Sequence, residues 1–312
     1  MASKPHSYEA QQLQERTLPM SVPIQTLDNY LKYEVSRTPS NVPYHQYRQV
    51  LLLDTVPSTN LYAHELLTSA DSLQNRRWGE LSVIATTQQT HGKGRLNREW
   101  VAPEGSSLCA SLMIRPHANP AHRIAPEQYH WFTVLLALAA IDTLNFWGIE
   151  AHLKWPNDVL IGDKKCCGIL AQIAVESAEN LSAIVGIGMN INLEPEDFPV
   201  PTATSVLAAT QTPRSLDEGL EKLCENFAQR YEDFARVNGV PSALQRHGIS
   251  LMDSVRTRMS TLGQRVAIEL PDGQKIHGVA EDINEDGEII ITTDSGASQS
   301  YAVGDVIHLR RA

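Results

Sequence analysis

The chain runs to 312 residues, 42% hydrophobic and 20% charged, enough for one large folded unit or a large and a small one. Its 36 acidic residues outnumber 26 basic ones, and a formal charge of −10 argues against general affinity for nucleic acid or anionic membrane. The amino-terminal Met1-Ala-Ser-Lys-Pro-His6 lacks the apolar stretch of a signal peptide. The apolar run Trp131–Ile141 is much shorter than the ~20 residues a membrane helix needs, so no membrane span and a cytoplasmic location are expected.

Residues 1–48 contain no glycine and carry scattered Pro, Ser, Gln and Tyr, which reads as an arm with one short helix around Ile24–Val35. Apolar patterning begins at Val50–Asp54; a helix over Asn60–Ser69 and a buried strand over Leu81–Ala85 follow. A loop with Gly and Arg leads to a strand at Ser107–Ile114, and Gln128–Phe146 reads as a mostly apolar helix across a sheet. Leu160–Ile161 and Gly168–Val175 are expected strands around a turn at Gly162-Asp163, and Leu181–Asn192 is a strand whose glycines imply close backbone approach. Ser215–Val237 is the clearest helix: Ser215 and Glu218 have capping-box spacing, and Leu216, Leu220, Leu223, Phe227 and Phe234 share one stripe. Short strands at Arg265–Leu270, Lys275–Glu281, Glu288–Thr293 and Val306–Leu309 alternate with the turns Pro271-Asp-Gly273 and Glu285-Asp-Gly287, as in a small β-barrel. The expected division is an arm over 1–48, a main unit over 49–259 and a small β unit over 260–312.

Cys109, Cys166, Cys167 and Cys224 include no CxxC pair and no zinc-site spacing, so no metal site is expected. Adjacent Cys166 and Cys167 should project to opposite faces of a strand as small buried hydrophobes.

Two segments carry candidate chemistry. In Gln89-Thr-His-Gly-Lys-Gly-Arg-Leu-Asn-Arg-Glu-Trp100 the glycines let backbone approach a ligand, Lys93, Arg95 and Arg98 supply charge, and Trp100 suits stacking on a planar base. A cradle for a phosphate beside a purine and a plain solvated basic loop both fit these residues; a Walker A loop does not. In Lys154–Leu170, Pro156 biases Trp155 toward extended backbone, Asn157 and Asp158 offer oxygens at the start of a strand, and Lys165 enters the next strand. Lys164-Lys165 alone also fits a charged turn tip.

These two segments resemble the signatures of biotin–protein ligases: Gly-Arg-Gly-Arg-x-Gly-Arg-x-Trp, and Lys-Trp-Pro-Asn-Asp followed by Lys-x-x-Gly-Ile-Leu. The resemblance takes in Ser58-Thr-Asn60, Val185–Asn192 and the terminal β unit, roughly residues 50–312. It implies an α+β fold: a mixed sheet flanked by helices, with a small SH3-like barrel at the carboxyl end. The implied activity forms biotinyl-5′-AMP from biotin and ATP with Mg²⁺, then transfers biotin to a lysine of a biotin carboxyl carrier domain, without a tightly bound prosthetic group. By position, Ser58, Thr59, Asn60, Gln89, Gly92, Lys93, Gly94, Arg95, Lys165 and Gly168 correspond to biotin contacts. Arg95, Trp100, Asn157, Asp158, Lys165 and Asn190 correspond to the ATP end, with Lys165 and Arg95 as the catalytic cations.

Departures from the pattern are Lys93 for an arginine, Asn97 for a glycine that needs left-handed tolerance, Cys166-Cys167 for a small apolar pair, and Gln172 where glutamate is frequent. Many bacterial relatives carry a winged helix-turn-helix of about sixty residues, whereas some fifty without a basic recognition helix precede the core here. The resemblance therefore implies the monofunctional type, without specific DNA binding, as monomer or homodimer. A lipoate ligase and a biotin-responsive repressor are the alternatives.

Overall fold

The computed structural model describes residues 47–68, 78–119, 121–270, 273–302 and 305–308. The Ile24–Val35 helix, Ser69, Pro271-Asp272 and Leu309 of the expected elements lie outside the described residues.

Strand β1 (Tyr47–Leu53) leads through helix α1 (Thr59–Thr68) to β2 (Leu81–Thr86), which pairs parallel to β1. A two-stranded ribbon, β3 (Gly92–Lys93) with β4 (Glu99–Trp100), precedes β5 (Ser107–Ile114) and helix α2 (Trp131–Phe146). Then come β6 (His152–Lys154), β7 (Asp158–Ile161), β8 (Lys164–Val175) and β9 (Leu181–Asn190). The resulting seven-stranded mixed sheet has the order β1-β2-β5-β9-β8-β7-β6. Helices α3 (Val206–Thr210), α4 (Leu216–Arg236) and α5 (Leu251–Arg258) follow. Strands β10 (Arg265–Glu269), β11 (Lys275–Ile283), β12 (Ile289–Thr293), β13 (Ser298–Tyr301) and β14 (Asp305–His308) make a second, antiparallel sheet ordered β13-β12-β11-β10-β14. This is the α+β class expected from the sequence.

Period-two alternation gives the large sheet two different faces. On β5, Leu108, Ala110, Leu112 and Ile114 join the main core with Val185, Ile187 and Met189 of β9. Helices α2 and α4 cover that face, with Phe132 5.7 Å from Tyr231 and 6.4 Å from Phe234 between ring centroids. Phe132, Phe227 and Phe234 are fully buried, each worth roughly 1.5–3 kcal/mol of transfer free energy. The alternate positions are small or polar: Ser107, Cys109 and Ser111 on β5, Gly186, Gly188 and Asn190 on β9, and Gly168 on β8. Only toward α1 does this second face turn apolar, where Ala63 and Leu67 pack on Ile84, Met113, Ala174 and Ile184. The remaining stretch of it forms the floor of a cavity.

Several local expectations are corrected. Helix α2 starts at Trp131, with Pro126–Gln128 a separate 3-10 turn. Strand β9 ends at Asn190, not Asn192. Ser215 caps α4 by accepting from the Glu218 amide at 3.2 Å, but the Glu218 carboxylate accepts from Trp147 Nε1 at 2.8 Å rather than closing a capping box. Cys166 and Cys167 do not face opposite ways: the β7–β8 register shifts between Val159 and Leu160, leaving Cys166 as the extra residue of a bulge. Both thiols consequently join the same core cluster. All four cysteines are buried and unbridged, as expected of small hydrophobes, and burial pushes the Cys109 and Cys224 thiols up to about 12. Strand β13, Ser298-Gln-Ser-Tyr301, has no apolar pattern to announce it; it is a polar edge strand held by its ladder to β12.

Candidate functional site

Asn60 and Trp100 rest on glycines. A Cβ on Gly186 would lie 2.2 Å from Asn60 Oδ1, and one on Gly188 would lie 2.2 Å from Trp100 Cε2. On the neighbouring strand, a Cβ on Gly168 would come within 2.9 Å of Lys165 Cε and 3.0 Å of the Trp100 ring. The missing side chains are thus what let an amide, an indole and a lysine lie flat on the sheet.

Above this floor is a cavity of about 540 Å³. Of the residues singled out from the sequence, Ser58, Thr59, Asn60, Gln89, Lys93, Gly94, Arg95, Trp100, Asn157, Asp158, Lys165, Gly168 and Asn190 line it. Gly92 does not: a Cβ there would lie 2.4 Å from the Trp100 carbonyl, so its glycine serves the β3–β4 ribbon.

At one end, the amide and hydroxyl of Thr59 both donate to Gln89 Oε1, at 2.8 and 3.1 Å. Asn60 Nδ2 donates to the Leu170 carbonyl at 2.9 Å. Ser111, fully buried, sets its hydroxyl 2.6 Å from Asn60 Oδ1 and 2.7 Å from Thr59 Oγ1. Gln172 donates to the Asn60 carbonyl at 3.2 Å. The network fixes which atoms of Ser58–Asn60 and Gln89 face the cavity, a preorganised set of small polar groups.

At the other end the groups are charged. Lys165 Nζ lies 2.7 Å from Asp158 Oδ1 and 5.9 Å from the Trp100 ring centroid. Its backbone is pinned to the following loop, Lys165 N donating to Thr202 O at 2.8 Å and Thr204 N to Lys165 O at 2.9 Å. Arg95 Nη1 donates to Asn157 Oδ1 at 3.2 Å, while Asn157 Nδ2 donates to Ile169 O at 2.5 Å. Burial lowers the Arg95 pKa, opposed by the charge of Asp158. Asn190 accepts from Ser107 Oγ at 3.1 Å and donates to Thr204 O at 3.0 Å. Trp100 Nε1 is buried against the glycine floor, over Gly188 and beside the Cys109 thiol.

In the glycine-rich loop the left-handed residue is Leu96 (φ 54°), not Asn97. Leu96 is 62% exposed, so its strain, of order 1–2 kcal/mol, is not offset by packing in this conformation. Lys93 is exposed at the cavity rim and Lys164 is exposed, whereas Lys165 turns inward.

Sequence reasoning passed over Ser111, buried beneath Thr59 and Asn60, and several residues that line the cavity. Ser111 could have been read from the small, polar alternate positions of β5, and Lys154 stands inside a segment already singled out. Pro199, Val200, Thr202 and Ala203, and Glu269 and Val306 from the second sheet, also line the cavity. Nothing local distinguishes them, because the fold alone brings them there.

Residues 54–190 match the Biotin/lipoate A/B protein ligase family, and residues 261–309 match the Biotin protein ligase C terminal domain. The bifunctional ligase/repressor BirA of Bacillus subtilis is 30% identical over 257 residues, covering 79% of this chain and 74% of that protein. The biotin–[acetyl-CoA-carboxylase] ligase of Mycobacterium tuberculosis is 29% identical over 232 residues, or 73% and 79%. In fold, the chain is similar to the Aquifex aeolicus biotin protein ligase solved in complex with biotin and ATP. That likeness has a TM-score of 0.64 at 23% identity and covers 84% of this chain and 99% of that one. The extent of these similarities, over both the large and the small sheet, makes this chain a member of the biotin protein ligase family.

Proposed function

We propose that this cavity couples biotin to ATP and hands the acyl group to a carrier lysine. The observation that carries the reading is the cavity's composition. One end is a fixed array of neutral polar groups suited to a ureido ring, the other gathers cations and amides suited to an acyl phosphate, and the glycine floor runs between them.

In the first step a carboxylate oxygen of biotin attacks the α-phosphorus of ATP, the bond from that phosphorus to the bridging oxygen breaks, and pyrophosphate leaves. Both reactants are anionic, so cations between them lower the repulsion and stabilise charge growing on phosphoryl oxygens. Lys165, held by Asp158, and Arg95, held by Asn157, are assigned that work. Mg²⁺ is assigned as the counter-ion of ATP, part of the substrate, since it is typically bound through substrate phosphates with few protein ligands.

The mixed anhydride is labile in water, and the loop bearing Lys93–Arg98 is the segment to cover it. In the second step the neutral amine of a carrier lysine attacks the acyl carbon, the bond to AMP breaks, and an amide forms. The carrier belongs to the class of biotin carboxyl carrier domains. We place the reaction in the cytoplasm; no described helix is long and apolar enough to cross a membrane. Among the alternatives, lipoate finds less support, since the carboxyl-terminal match is specifically to biotin protein ligases. The test is incubation with MgATP, a carrier domain and labelled biotin. Covalent label on the carrier, unmatched when labelled lipoate replaces biotin, is expected; preferential lipoate transfer would overturn the substrate assignment.

A further inference from the structure

We propose that Lys154 is a third cation of the reaction, one that holds the phosphates leaving as pyrophosphate. The inference rests on the adenylating function proposed above and assigns a further residue to it.

Lys154 ends β6 and lines the cavity with Lys165, Arg98 and Asp158. In the β6–β7 ladder it stands opposite Asp158. The Asp158 carboxylate, however, is engaged at 2.7 Å by Lys165, and the Lys154 side chain has no ion pair or hydrogen bond among the described residues. Its surroundings are costly for a cation. Burial lowers its pKa, and the charges of Lys165 and Arg98 push the same way, with Asp158 alone opposing. A half-buried ammonium without a direct partner is unfavourable unless an anion completes the site.

Its backbone is nevertheless tightly placed. Ser260 N donates to the Leu153 carbonyl at 2.9 Å, and Trp155 N donates to Thr261 Oγ1 at 3.1 Å. Trp155 Nε1 donates to the Gly287 carbonyl at 3.1 Å. The residues on either side of Lys154 are thus anchored to the segment entering the second sheet and to that sheet's β11–β12 turn. Such anchoring fits a charge whose position matters.

Charge accounting assigns it to the leaving group. Lys165 is already faced by a carboxylate and Arg95 by an amide oxygen, and both are assigned to the α-phosphate. As the bond to the α-phosphorus breaks, negative charge accumulates on pyrophosphate, and Lys154, half-buried in the lining with no side-chain partner among the described residues, is a cation available to meet it.

The experiment compares wild type, Lys154→Met and Lys154→Arg in three assays. These are biotin-dependent exchange of labelled pyrophosphate into ATP, inhibition of adenylation by added inorganic pyrophosphate, and transfer of biotin from preformed biotinyl-5′-adenylate to a carrier domain. Lys154→Met should lower exchange by about a hundredfold and abolish inhibition by pyrophosphate, while transfer stays within about twofold of wild type. Lys154→Arg should restore much of the exchange. Retained pyrophosphate inhibition in Lys154→Met, or equal slowing of exchange and transfer, overturns the proposal.

Should Lys154→Met fail to fold, the wild type still decides: saturating pyrophosphate should shield Lys154 from acetic anhydride, read by peptide mass spectrometry, and undiminished acetylation counts against it. A wild-type protein with no biotin-dependent exchange would instead overturn the underlying function.

Discussion

The two ends of β5 hold charged and polar groups on opposite terms. Just beyond Ile114, Arg115 binds both carboxylate oxygens of Glu176 and the Trp78 carbonyl, while Ser182 donates to the same Glu176. These side chains are mostly buried, and His117 Nε2 adds a contact to Glu176 at 3.8 Å. At the Ser107 end, toward the cavity, the Lys154 side chain has no hydrogen bond or ion pair among the described residues, and Lys165 is faced by Asp158. One sheet therefore carries a saturated cluster that joins strands and an undersaturated one that awaits an anion. The difference separates charge used for stability from charge kept for chemistry.

The comparison predicts opposite phenotypes for substitutions at the two ends. Arg115→Met leaves the buried Glu176 carboxylate with only the Ser182 hydroxyl and the more distant His117, and should cost about 3–5 kcal/mol of stability. Adenylation per folded molecule should be unchanged. Urea unfolding with activity normalised to the folded fraction checks both, and a rate loss without destabilisation would break the contrast.

Lys165→Ala should do the reverse. Losing a cation from a phosphoryl-transfer site costs about 3–4 kcal/mol in the barrier, a hundred- to a thousandfold in rate. The melting temperature should hardly move, since the residue spans no interface between core elements. Single-turnover adenylate formation beside a melting curve is the measurement.

Gly188→Ala sharpens the claim that the glycine floor exists for Trp100. A methyl group there meets the indole at 2.2 Å, so the ring must shift, at about 1–3 kcal/mol of overpacking. Combining it with Trp100→Ala should remove most of that penalty in a double-mutant cycle on stability, and strict additivity would show that the two positions are independent. Lys164→Ala has the smallest expected effect, within about 0.5 kcal/mol on stability and almost none on rate, because Lys164 is exposed and screened.

The Lys164–Lys165 distinction was legible in the sequence, since adjacent strand residues alternate faces and the family resemblance anchored on Gly168-Ile-Leu170 selects Lys165. The same rule failed one residue later. The Cys166 bulge depends on how β8 registers with β7, and Cys166-Cys167 contains no local signal for it. Likewise, Asn97 is the residue chemically suited to left-handed backbone, but the ribbon's closure puts that conformation on Leu96. The two charged segments were visible because each concentrates glycine, cations and amides within a few residues. Thr202, Ala203, Glu269 and Val306 were not, because their place at the cavity is set by chain crossings far from it in sequence. Strand β13 escaped notice because an edge strand is held by backbone pairing and needs no apolar face.

The central claim is that the cavity makes an acyl-adenylate from biotin and ATP. Exchange of labelled pyrophosphate into ATP tests it without any carrier protein, because only reversal of adenylation returns the label. Exchange that requires biotin, is absent with lipoate and falls a hundredfold or more in Lys165→Ala, within the range of about a hundred- to a thousandfold, is the predicted result. Exchange that proceeds without biotin, or survives intact in Lys165→Ala, would contradict it.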